Sequence, residues 1–177
     1  MKFVAPVVFL LFIGCNSVVP GTVRQLTDVD PLTARPSDIA LKLELPSALG
    51  VRPDSGRIEL SGHGADGSIS ERFVLHEVDD GVFLIADQDR ERFQSVQQEI
   101  SRMKMEDPEG TKGSLSLSFG PCLNHPTDID QERLTVAIRL SQEGEFLPLL
   151  VDVPARTVMN NVVSSELPEC ADASTKI

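Results

Sequence analysis

The densest grouping of ligand-type side chains in this sequence is Cys122-Leu-Asn-His125, followed by Asp128 and Asp130, with Cys170 able to return beside it. Thiolate, imidazole and carboxylate are donors that hold zinc, and a structural zinc site needs four committed ligands in a tetrahedron. The stretch carries only half of a recognisable zinc spacing, so no metal is expected; His125, Asp128 and Asp130 are the weaker alternative. His76-Glu77 with Asp79 and Asp80 also crowds polar groups. Adjacent residues of a strand face opposite sides, so His76 and Glu77 share a site only across a bulge, and a solvated hairpin turn is the simpler reading. His63 falls in Gly62-His-Gly-Ala-Asp-Gly67, read as an exposed turn whose letters mimic a dinucleotide fingerprint without the helix that fingerprint requires. Met103 and Met105 are soft thioether donors suited to copper. Two residues apart on a helix they do not face each other, and Met103 reads as core. No Gly-x-Ser-x-Gly, phosphate-cradling loop or calcium-binding run occurs, so neither a catalytic set nor a cofactor is expected.

The elements that would position these residues follow from periodicity. Asp38–Leu45 alternates, with Ile39, Leu41, Leu43 and Leu45 on one face, and Pro46 ends it. Arg57–Ser61 and Ser68–Val78 predict a hairpin, and Asp79-Asp80-Gly81 a second turn into Val82–Ile85, making a meander. From Asp87 the period becomes helical: Phe93, Val96, Ile100 and Met103 form one narrow apolar stripe, with Asp87 as the expected cap and Asp107-Pro-Glu-Gly110 as the stop. Ser114–Phe119 and Arg133–Leu140 alternate as strands with one wet face. Gln142–Glu145 turns into Phe146–Val153, where Pro148 predicts an edge or a bulge. Pro154 could start a short closing helix. The expected class is α+β: a mainly antiparallel sheet of about seven strands with one long amphipathic helix packed on it, or else a β-sandwich with an inserted helix.

The N-terminal residues Met1-Lys-Phe-Val-Ala-Pro-Val-Val-Phe-Leu-Leu-Phe-Ile-Gly-Cys15 place one cation before an apolar run and a small residue directly before a cysteine. As a helix, Phe3–Ile13 would cover roughly 16 Å against about 30 Å of hydrocarbon, too short to span. The segment reads as a cleaved export signal. It resembles the signal of bacterial lipoproteins, with Phe12, Ile13 and Gly14 at the positions preceding the cysteine. The resemblance implies an acylated Cys15 as the mature N-terminus, membrane attachment through that lipid, and residence in the cell envelope facing the periplasm. Asn16 is not the aspartate that marks inner-membrane retention, so the resemblance points to the outer membrane. The mature part resembles only small, uncharacterised bacterial lipoproteins. Residues 1–14 are then signal, 15–36 a lipidated N-terminus and flexible tether, 37–170 a single globular domain, and 171–177 a disordered tail. With Cys15 taken by the anchor, Cys122 and Cys170 remain as a pair, for which an oxidising envelope compartment implies one structural disulfide.

Composition narrows the partners. Asp and Glu number 27 against 16 Lys and Arg, a net charge of −11 that opposes binding to nucleic acid or to anionic membrane surfaces. Neither Trp nor Tyr occurs, which weakens a glycan-stacking reading and leaves Phe, Leu and Arg as anchors for any interface. Three functions are compatible with this: a non-catalytic, lipid-anchored envelope protein with a structural or partner-binding role; a periplasmic small-molecule or lipid-binding protein; and a metal or redox enzyme centred on Cys122, His125 and Cys170.

Overall fold

The computed structural model describes residues 32–159 and 166–170. The expected signal, Cys15, most of the tether and the tail after Cys170 lie outside the described residues. The elements are β1 (Ala40–Glu44), β2 (Leu49–Val51), β3 (Arg57–Gly64), β4 (Gly67–Asp79), β5 (Val82–Ile85), α1 (Arg90–Glu106), β6 (Lys112–Ser118), β7 (Pro121–Leu123), β8 (Arg133–Arg139), β9 (Leu147–Pro154) and α2 (Ala155–Val158). Seven strands form one antiparallel sheet in the order β6-β3-β4-β5-β1-β8-β9, and β2 pairs with β7 separately. The class is α+β.

Only β3, β4 and β5 form the expected meander. β1 lies inside the sheet between β5 and β8, where Leu41 is opposite Phe83 on one side and Ile138 on the other. Its Ala40 and Leu41 are fully buried, as a central strand requires. After α1 the chain returns to the far edge, so β6 pairs with β3. At the opposite edge β9 shifts register twice against β8, once between Leu150 and Val153, where Asp152 has φ +51°, and once beside Pro148, which has no N–H to give to a ladder.

Of the two expected turns the first is displaced and the second falls where its residues put it. Gly62 and Gly64 belong to β3, and the turn is only Ala65-Asp66, so His63 is an exposed strand residue opposite Ser68 and Lys112. The glycine serves close approach: a Cβ on Gly62 would lie 2.8 Å from Ile100 of α1. Gly81, at φ +68°, turns the chain between β4 and β5 and accepts a hydrogen bond from the Leu43 amide at 2.8 Å. A Cβ there would stand 2.3 Å from the Leu43 carbonyl oxygen.

α1 buries Phe93, Val96, Gln97 and Ile100. Phe93 meets Phe73 of β4 edge to face at 4.9 Å, and the Arg92 guanidinium lies over the same Phe73 ring at 4.9 Å. Asp87 does not cap this helix. Asp87–Asp89 form a 3₁₀ turn, Asp87 pairs with Arg90 at 2.6 Å, and the buried Asp89 carboxylate accepts from the Val74 amide at 3.0 Å. The sheet's need for a partner to that amide outweighs the local capping signal. Likewise the domain begins before residue 37: Ala34 is buried, and Gln97 donates to its carbonyl at 3.0 Å. Pro154 closes β9 and is at once the N-cap residue of the short helix α2, which begins where it was expected.

Because β3 and α1 touch through the missing side chain of Gly62, Gly62→Val forces one of them to move. The expected loss is about 1–3 kcal/mol of stability, measured by denaturant unfolding; a loss near zero would show that α1 can slide on the sheet.

Candidate functional site

The two edge strands of the sheet, β6 and β9, meet the same groove through Leu117 and Leu149, so the sheet is curled into a half-barrel. α1 fills one end of its concave face. Leu41 of β1 is fully buried there with Phe73, Phe93 and Ile100. Further along the same strands α1 contributes no lining among the described residues: Leu43, Leu45, Leu134 and Val136 form a floor, Leu149 and Leu150 one wall, and Val51, Leu117, Phe119 and Pro121 the other. The space between them is about 390 Å³, and no charged side chain lines it among the described residues. Such a volume suits a small ligand, and such a lining suits an apolar one.

The small β2–β7 sheet and the disulfide hold the second wall. Cys122, buried on β7, is bonded to Cys170. The Cys170 amide donates to the Leu123 carbonyl at 2.8 Å and the Leu123 amide to the Pro168 carbonyl at 2.9 Å, so the 166–170 segment lies along β7. Gly50 of β2 allows the sulfurs in: a Cβ there would be 2.7 Å from Cys170 Sγ. Asn124 ties the end of β7 to the start of β2 by donating to the Ser47 and Leu49 carbonyls at 3.1 Å.

The other residues singled out in the sequence are not brought together. His125 is exposed and lies against its neighbour, the Pro126 carbonyl, at 3.4 Å. Asp128 organises its own turn, accepting from the Asp130 amide and from Gln131. Asp130 takes the Arg156 guanidinium on both oxygens at 2.7 and 2.8 Å. With both thiols in a disulfide and these carboxylates engaged, the zinc alternative loses its donors; among the described residues no group of three or more His, Cys, Asp and Glu could hold a metal ion. The β4–β5 hairpin does have a register shift between Glu77 and Asp79, yet Glu77 accepts from the Gly81 amide and His76 lies 3.7 Å from Asp54 instead. Met103 is half-buried near Gly64, and Met105 is exposed.

A second hollow, between the β3–β4 turn and the end of α1, is polar and already occupied by charge: Arg102 is paired with Glu99 and Glu106 at 2.5 and 2.6 Å. That pairing holds the Glu99 carboxyl below its ordinary range. On the outer face of β3 and β4, Arg72 at 2.6 Å and then Ser70 at 2.8 Å lower the Glu59 carboxyl in the same way. These pairs are exposed, so solvent screens them. They order the surface without creating a reactive group.

No family model, no curated protein and no solved structure matches this chain. The groove itself escaped the pattern reading, although its signal is present. Strands β1 and β8 carry inward apolar residues along their whole length, more than the one stripe of Phe93, Val96 and Ile100 can cover.

Two outcomes follow. Glu59 has a lowered folded pKa, so its contribution is present above the ordinary carboxylate range and is lost as pH falls through the folded value. Arg72→Ala should therefore lower the neutral-pH Tm slightly and flatten its decline between about pH 5 and pH 3, the two curves converging in acid; an identical slope would mean that the pair does not form in solution. Removing the disulfide as Cys122→Ser with Cys170→Ser should cost up to about 4 kcal/mol in denaturant unfolding, and limited proteolysis should then cut first in the C-terminal segment.

Proposed function

We propose that this chain is an exported lipoprotein, acylated at Cys15, whose domain is a non-catalytic binding module facing the periplasm from the bacterial cell envelope. The address rests on the sequence Phe12-Ile-Gly-Cys15 and its resemblance to lipoprotein signals. No helix among the described residues is long and apolar enough to cross a membrane. In this reading membrane attachment is the work of the lipid, with several acyl chains giving a stable anchor where one gives only a marginal one. Asn16 directs it to the outer membrane.

The binding role is carried by one observation: an apolar groove of about 390 Å³ left open in a sheet whose other end is closed by its helix. α1 seated on the sheet is the fixed half of the domain and the groove the available half. This favours an apolar ligand over a purely structural role, and the −11 charge keeps nucleic acid out of the partner list. The metal or redox enzyme reading has no observation in its favour, since the disulfide-bonded Cys122 sits beside an exposed His125 and self-satisfied carboxylates.

Expression in a bacterial host, with intact mass measured separately on membrane and soluble fractions, tests the address. The expected species is a chain that begins at Cys15, carries acyl mass and is found in the membrane fraction, with Cys122 and Cys170 alkylated only after reduction. Cys15→Ser should abolish both the acyl mass and cleavage before residue 15. An unprocessed, unacylated chain would overturn the proposal.

A further inference from the structure

We infer that the groove between β6 and β9 takes one hydrocarbon chain of a neutral or zwitterionic membrane amphiphile, the head remaining in solvent. The inference deepens the binding role proposed above and rests on it. Ser118 supplies the only hydroxyl among the lining side chains, and neither carboxylate, amide nor cation accompanies it among the described residues. An occupant must therefore be satisfied without hydrogen bonds along its buried length. A hydrocarbon chain meets that condition. A peptide does not, because each of its amides and carbonyls would be stripped of water without replacement.

The β9 edge does not rescue a peptide. Insertion of an extended segment beside β9 would need an unbroken row of backbone donors and acceptors. β9 instead carries Pro148 and Pro154 and two register shifts, the devices that blunt an edge. A second copy of the domain is disfavoured by charge, since two chains of net −11 would have to approach face to face. The same field disfavours an anionic head; with no charged side chain lining the groove among the described residues to pair with a cationic one, a neutral or zwitterionic head is the occupant tested.

The supply of such chains follows from the anchor. Between Cys15 and Leu32 the polypeptide reaches at most about 60 Å when fully extended, so an anchored domain stays within that distance of a bilayer surface. The chains on Cys15 must remain in the membrane to hold the protein there. The occupant is accordingly a separate, exchangeable amphiphile. Val158, on the groove and 41% exposed, and Met159 beside it extend the apolar surface outward at the α2 end. A chain entering there would cover apolar area that now faces water.

The test uses the full chain carrying Cys15→Ser, purified without detergent and titrated with palmitoyl lysophosphatidylcholine below its micelle concentration. Native mass spectrometry and displacement of the neutral fluorophore N-phenyl-1-naphthylamine report binding. One lipid per chain is expected, with no binding of glycerophosphocholine, which has the head but no hydrocarbon. Leu150→Trp, which fills the groove, should weaken binding at least tenfold, whereas Val151→Trp, on the adjacent exposed side chain, should leave it unchanged. If Leu150→Trp does not unfold cooperatively, Val51→Trp on the opposite wall takes its place. The inference is overturned by absence of a lipid adduct, by equal binding of glycerophosphocholine, by a folded groove-filling variant that binds as well as the parent, or by a lipid-free dimer that those variants disrupt. Each of these leaves the acylation result on the unmodified chain standing, so address and ligand fail separately.

Discussion

The seating of α1 on one end of the sheet sets the character of this domain. A helix with a single apolar stripe covers one helix-width of surface. Here that stripe is committed to Phe73, Ile58 and Leu60 through Phe93, Val96 and Ile100, and Gly62 lets the helix settle against the β3 backbone. The rest of the concave face must be closed by other means. Curling brings β6 toward β9, and the β2–β7 pair with its disulfide supplies a wall. These devices narrow the opening without filling it.

β1 joins the two halves of that arrangement. On one side it continues the β3–β4–β5 meander, and on the other it receives β8 over five residue pairs, which sets the two floor strands of the groove side by side. Gly81 locks the β4–β5 turn to β1 by accepting from the Leu43 amide, and Leu43 is part of the groove's floor. Position in the sheet and position in the groove are fixed by the same backbone contacts.

Much of this was legible in the sequence because alternation is a strong local signal. All seven sheet strands and the long helix fall where period two and period 3.6 put them, and Pro148 marked the irregular edge before any coordinates. Strand order was not legible, since the β1–β8 pairing depends on contacts nearly the whole domain apart. Gly62-His-Gly64 misled because glycine serves close packing as well as turns, and only the approach of Ile100 distinguishes the two uses. β2 and β7, at three residues each, are too short for any period to show. His125, Asp128 and Asp130, the weaker metal alternative, are close in sequence but separately engaged: His125 lies against its neighbour's carbonyl, Asp128 serves its own turn, and Asp130 pairs with Arg156 of α2.

The pairing of β1 with β8 also governs how the domain can assemble. Leu41 finds Phe83 early along the chain, but its second partner, Ile138, arrives only after the helix and β6–β7 have been laid down. Pairings of such separation are slow, because the entropy of closing the intervening chain is lost before the contact is gained. Until then one edge of the most buried strand stands open, and a chain emerging N-terminus first presents that edge for the whole interval. The strand that organises the native sheet is thus also the most association-prone surface of the half-made one.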